Sequence, residues 1–148
     1  MERQFYYHAC FGLKSHITKE TAMAITHIKS TTVYVSDPDK AVDFYTNKLG
    51  FELRSDQPFG EGLRWIEVAP PGGQAVIILA KGFGMDDKDR IGKFTGIVLE
   101  AQDMKGTYET LSARGVKFTE TPSMQDYDLI QALFEDQDGN CCVLVGSS

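Results

Sequence analysis

Two stretches about 66 residues apart carry the same punctuation: IKSTTVYVSDPDKAVDFYTNKLGFEL and FTGIVLEAQDMKGTYETLSARGVKF. Each opens as a β-patterned run and passes an acidic helix start (Asp37, Asp103). Each then continues as an apolar-striped helix and stops at a glycine (Gly50, Gly115). A new strand begins directly after each glycine. Such a repeat implies two copies of one supersecondary unit packed together, and a site between them draws on matching positions of both.

The segments between these marks complete each unit. Residues 25–35, rich in β-branched side chains, are expected to form a strand. Ser36 or Asp37 caps the helix that follows, with Pro38 at its first position, where a missing N–H costs nothing. Ala41, Val42, Phe44, Tyr45 and Leu49 supply the helix's apolar stripe, and Gly50 its left-handed stop. Residues 51–55, LRWIEVA and QAVIILA then give three more strands, so the first unit is β-α-β-β-β. The second unit repeats that order: a strand over 93–101, a helix over 103–114 and a strand over 116–120. A strand near 129–135, the turn DQDGN and the strand CCVLV follow. In its helix Met104, Thr107, Tyr108 and Leu111 share a face. Residues 81–92, with glycines and charges, are expected to link the units. The expected organisation is an N-terminal extension over 1–22 and one domain over 23–148, its modules spanning about 25–80 and 93–146.

With 42% hydrophobic and 24% charged residues, the 148-residue chain has the make-up of one soluble globular domain. A net charge of −6 without a Lys/Arg stripe argues against nucleic acid as a partner. The acidic balance favours cationic ligands, or simply a solvated surface. Cys10, Cys141 and Cys142 make an odd number without CxxC spacing. A disulfide framework is therefore not expected, and a reduced, cytoplasmic setting is. No apolar run approaches a transmembrane length, so no membrane partner is expected. The segment FYYHACFGL lacks a small-residue cleavage site downstream and is not read as a signal peptide. A metal-binding tail of His8, Cys10 and His16 is the sharper alternative for this extension, but that spacing fits no common structural zinc pattern.

The paired β-α-β-β-β repeat, with DPDKAVDFYTNKLGFEL in its first half and a late D-x-DGN hairpin, resembles the vicinal oxygen chelate superfamily. That group includes glyoxalase I, extradiol dioxygenases, and fosfomycin- and bleomycin-resistance proteins. The resemblance covers roughly residues 25–146. It implies an α+β fold in which two βαβββ modules form a paired half-barrel cleft, and a homodimer. In metal-dependent members it also implies metal ligands on the first and last strand of each module. Counted from Asp37 and Asp103, those positions are Ser30, Gly96, Ile78 and Val143, none of them a ligand for a divalent ion. His27 lies three residues before Ser30, on the opposite face of an ideal strand, and would need a bulge to reach the cleft.

Alternation then puts Val33 and Val35 toward the helix and Ser30, Thr32 and Tyr34 toward the cleft. Val76, Ile78, Val98, Glu100, Cys141 and Val143 share the cleft face, with Trp65 and Glu67 from the third strand as further candidates. Phe59, in the loop PFGEG, and Phe83, in the linker, are positioned to close over Trp65 and sandwich a planar or cationic ligand. The expected ligand-binding residues are Ser30, Thr32, Phe59, Trp65, Ile78, Phe83, Gly96, Val98 and Val143. Packing of a collapsed core is the alternative role for each.

The chain shows no Ser-His-Asp set, Cys-His pair or phosphate-binding loop, and all three histidines precede residue 28. If catalysis occurs, Glu67, Glu100 and Tyr34 are the candidates. The leading expectation is a protein that sequesters a small organic molecule without metal or other cofactor, as the bleomycin-resistance branch does. The alternatives are a lyase, isomerase or dioxygenase of the same superfamily holding a divalent metal through non-standard ligands, and a metal-free enzyme.

Overall fold

The computed structural model describes residues 24–84 and 87–147. The N-terminal extension, with His8, Cys10 and His16, lies outside them. The first module runs β1 (Ser30–Tyr34), α1 (Pro38–Asp43), a π turn (Phe44–Lys48), β2 (Glu52–Pro58), β3 (Arg64–Ala69) and β4 (Val76–Ala80). The second runs β5 (Phe94–Ala101), α2 (Met104–Ala113), β6 (Lys117–Met124), β7 (Ile130–Glu135) and β8 (Cys141–Gly146). Each module is one four-stranded sheet, in the orders β1-β4-β3-β2 and β5-β8-β7-β6. First and last strands run parallel and the other pairs antiparallel, which is the expected α+β arrangement.

The repeat extends to register. Thr32 stands opposite Ile78, and Val98 opposite Val143. On the next strand Glu67 pairs with Ile78 and Leu133 with Val143. The offsets seen along the chain therefore relate matching rows of the two sheets.

Both helices start as their sequences require. The Asp37 carboxylate accepts from the backbone N–H groups of Asp39 (3.0 Å) and Lys40 (3.2 Å), and Asp103 accepts from Gly106 (2.9 Å). A Cβ on Gly106 would lie 2.3 Å from Asp103 Oδ2, so a larger residue there would require the capping carboxylate to turn. The helices stop at Gly50 and Gly115, with φ of 78° and 81°. The two are not identical. The first unit has one more residue between cap and glycine, and it contains the π turn, in which the Leu49 N–H donates to the Phe44 carbonyl five residues back (3.1 Å).

Alternation decides the core. Val33 and Val35 are 2% and 0% exposed, whereas Thr32, just before them, is exposed and Tyr34, between them, is half-buried. With Tyr45, Ile66 and Leu79 they join Met104, Phe134 and Leu144 in one apolar cluster that spans both modules. Each such buried side chain contributes about 1.5–3 kcal/mol. The strand expected from residue 25 begins only at Ser30, and Ile25 and Ile28 are 83% and 78% exposed. A strand forms where a partner exists, and the β1–β4 ladder begins at Val76, opposite Ser30. β2 and β6 run further than expected, to Pro58 and Met124, because each remains paired with its antiparallel neighbour.

The DQDGN hairpin also fastens one module to the other. Asn140, 1% exposed, donates through Nδ2 to the Tyr34 carbonyl (3.0 Å) and to Asp136 Oδ2 (2.7 Å), and its Oδ1 accepts from the Gly92 N–H (2.8 Å). Asp136 Oδ1 accepts from the backbone of Asp138 (2.8 Å) and Asn140 (3.0 Å), and Oδ2 from the Tyr45 hydroxyl (3.2 Å). Asp138 accepts from the Ser36 backbone (3.0 Å) and from its hydroxyl. Burial raises the Asp136 carboxyl above its ordinary pKa despite these donors, and it raises the Tyr45 hydroxyl, with Asp136 adding to that shift.

Removing Asn140 strands partners on both modules. Asn140→Ala is expected to cost about 2–4 kcal/mol in urea unfolding. Asp136 binds its proton more tightly folded than unfolded, so its contribution to stability is full below the unfolded carboxylate pKa. That contribution is lost as pH rises through the raised folded value. The stability of wild type relative to Asp136→Asn is thus expected to fall as pH rises above the ordinary carboxylate range, about pH 4; a difference that grows with pH would contradict the burial account.

Candidate functional site

Directly paired residues share a face of a sheet. On the first sheet, Thr32, Ile78, Glu67 and Ser55 form one row on the face away from the buried core, flanked by Ser30 beside Val76 and Tyr34 beside Ala80. Trp65 lies on this open face too, since its Nε1 donates to Glu67 Oε1 at 2.8 Å. On the second sheet the matching row is Val98, Val143, Leu133 and Glu120, with Glu100 beside Val145. Gly96 sits where the β5–β8 register shifts, at φ 72°, with nothing within 4 Å of an added Cβ. Backbone conformation rather than space favours glycine there.

The open faces have apolar floors and accessible rims. Ile78 and Val143 are buried, at 7% and 8% exposure, whereas Thr32, Gly96 and Glu100 are exposed and Val98 is 59% exposed. Phe59, Trp65 and Phe83 gather at one end, with ring centroids 5.4, 5.3 and 5.9 Å apart. The three rings pack on one another, so a planar guest has to part them. An apolar crevice between the modules, about 190 Å³, lies on the core side, lined by Leu49, Phe51, Leu99, Leu111 and Phe134, with Glu100 bordering it.

The candidate acid–base groups are not assembled with one another. Glu67 is bonded to Trp65, Tyr34 accepts from Arg90 Nη1 (2.8 Å), and Glu100 has no side-chain hydrogen bond among the described residues. The positions where the fold would take metal ligands do not fit a divalent ion. Ser30, Ile78, Gly96 and Val143 offer one hydroxyl between them, and among the described residues no three His, Cys, Asp or Glu side chains cluster. His27 is exposed in the irregular segment before β1, bonded to Thr26 Oγ1 (2.8 Å). Reading the sequence missed Arg90, which stacks on Tyr34, and the bridging role of Asn140. The first was hidden in a charged linker, and the second in a motif that a turn alone explains.

A model of the glyoxalase/bleomycin resistance protein/dioxygenase superfamily matches residues 24–143. The chain belongs to that superfamily. A superfamily member from Sphaerobacter thermophilus is 38% identical, with a TM-score of 0.79 over 84% of this chain and 100% of its own. TnmS3, an antibiotic binding protein from Streptomyces sp. CB03234, is 36% identical, with a TM-score of 0.74 over 85% of this chain and 99% of its own. A probable lactoylglutathione lyase of Synechocystis is 31% identical over 80% of this chain and 93% of its own length. Superfamily membership thus spans a named binder and a named lyase, and the residues at the site have to separate them.

The two adjacent cysteines report which face is open. Cys141 is half-buried, in register with Phe94 and Glu135, whereas Cys142 is 1% exposed; burial pushes both thiols up, Cys142 to about 11. In a Cys10→Ser background at mildly alkaline pH, a maleimide is expected to modify Cys141 at least about tenfold faster than Cys142. Peptide mass spectrometry gives the order, and faster labelling of Cys142 would mean that the faces are assigned the wrong way round.

Proposed function

We propose that this chain is a metal-independent binding protein that sequesters a small organic molecule against its open sheet faces. The observation that carries the reading is the set Ser30, Ile78, Gly96 and Val143. These residues occupy the four positions from which this fold holds a metal, and they offer no set of ligands for one. Without a Lewis acid at those positions, and with Glu67, Glu100 and Tyr34 apart, the site recognises rather than transforms. Similarity to an antibiotic binding protein supports the same reading, and the residue set weighs against the lyase alternative.

Binding energy comes from Trp65, Phe59 and Phe83 at one end and the apolar floors of Ile78 and Val143, with Ser30 and Thr32 as polar contacts. Two copies complete the cup. The exposure of Val98 (59%), Phe94 (65%) and Met124 (60%) leaves apolar area on the second module that a second chain's first module is suited to cover. Cys141 and Cys142, the cysteines among the described residues, are free thiols, which is consistent with a cytoplasmic setting.

Trp65 is the only tryptophan, so its fluorescence reads the site directly. In a screen of metabolites and drugs, a bound compound is expected to change that signal saturably and to raise the melting temperature by linkage. Protein purified without chelator is expected to hold less than about a tenth of a divalent ion per chain. A stoichiometric metal with EDTA-sensitive turnover would overturn the reading, as would a broad panel that moves neither signal.

A further inference from the structure

β1 and β5 are edge strands of the two sheets, and the seam between them holds a hollow of about 270 Å³. Its walls include Thr32 and Tyr34 from β1, and Asp89, Arg90, Lys93 and Phe94 from the segment entering β5. The backbone that carries the two cations is pinned on both sides. The Arg90 N–H donates to the Asp87 carbonyl (3.0 Å), Gly92 donates to Asn140 Oδ1 (2.8 Å), and the Lys93 carbonyl accepts from Cys141 (2.9 Å).

The side chains present donors to this hollow. Arg90 Nη1 donates to the Tyr34 hydroxyl at 2.8 Å, and its guanidinium carbon lies 4.9 Å from the Tyr34 ring centroid. That contact fixes the plane of the fork and uses one of its N–H groups, leaving the remainder for a guest. The Tyr34 hydroxyl accepts from Arg90, so its own proton is available to donate. Thr32 adds an exposed hydroxyl, and neither Arg90 nor Lys93 takes part in an ion pair among the described residues. In a chain of net charge −6, the described lining of this hollow holds two cations, Arg90 and Lys93, and the carboxylate Asp89.

We infer that the seam hollow is the subsite for an acidic group on the ligand: a carboxylate, sulfonate or phosphate whose organic body extends over Phe94 and Thr32 onto the open faces. The inference rests on the proposed binding function and names the class of molecule that function takes. It takes the net negative charge as a solvated surface rather than as a sign of a cationic ligand. Local donors within hydrogen-bonding reach outweigh a diffuse negative surface that salt screens.

The test compares two fluorescent dyes with closely similar aromatic bodies, 8-anilinonaphthalene-1-sulfonate, which carries an acidic group, and N-phenyl-1-naphthylamine, which does not. Wild type at low salt is expected to bind the sulfonate at least about tenfold more tightly than the neutral dye. That ratio is expected to shrink in about 0.5 M NaCl. In the Arg90→Gln/Lys93→Gln double variant it should collapse to within about twofold. If loss of the Arg90–Tyr34 contact unfolds the double variant, Lys93→Gln alone still has to lower the ratio, because no hydrogen bond or ion pair of that side chain is present among the described residues. Equal binding of the two dyes by wild type, or a ratio that survives both substitutions, overturns the acidic-group subsite and leaves the binding function standing. Failure of both dyes to bind takes down the binding function and the subsite together.

Discussion

The geometry of this molecule depends on a few buried polar contacts made by one hairpin. Apolar burial brings the modules together but is indifferent to small rotations between them. The Asp136–Asn140 turn is not, because Asn140 at 1% exposure must satisfy its amide on Tyr34 of β1, on Asp136 and on Gly92 at once. Tyr45 and Ser36 add two more anchors from the first module. The turn thereby fixes how the edge strands β1 and β5 approach, and with them the hollow between Tyr34 and Arg90. A change of angle that the apolar cluster would tolerate leaves donors and acceptors stranded in low dielectric.

In the proposed binding role, a surface of this kind would act by shape, stacking and donor placement. The floor of each open face is aliphatic, the Phe59–Trp65–Phe83 group closes one end of the first, and the cations lie along the seam. Ring separations of 5.3–5.9 Å mean that any ligand stacking there first disrupts an existing aromatic contact. Affinity at that end is therefore a difference between two packings rather than a gain on empty space. Among the described residues, the polar seam has no such competing contact beyond the Arg90–Tyr34 stack.

Much of this was legible in the chain. Period-two alternation assigned Val33 and Val35 to the core and Thr32 to the open face, and the repeat offset matched Ile78 with Val143, which stand opposite Thr32 and Val98 in the two sheets. The caps at Asp37 and Asp103 also followed from local chemistry. The failures share a cause, since each needed knowledge of a distant partner. Ile25–Lys29 has strand composition but no strand beside it. Asp136 and Asn140 fully explain a turn, so nothing in the pattern hinted that their side chains also cross to Tyr45 and Tyr34. Arg90 sits in a charged segment that looks solvated until the fold lays it on an aromatic ring.

The π turn in the first module says where duplicated units can drift in length. Between its cap and its glycine the first helix holds one residue more than the second, yet the strands beyond keep matching faces. Had that residue entered a strand, every side chain after it would have moved to the opposite face, exchanging core for surface. In a helix the same residue is taken up by one wider turn, where Leu49 bonds to Phe44, and the chain leaves in phase. Helices and loops are thus the molecule's slack, and strands its ruler.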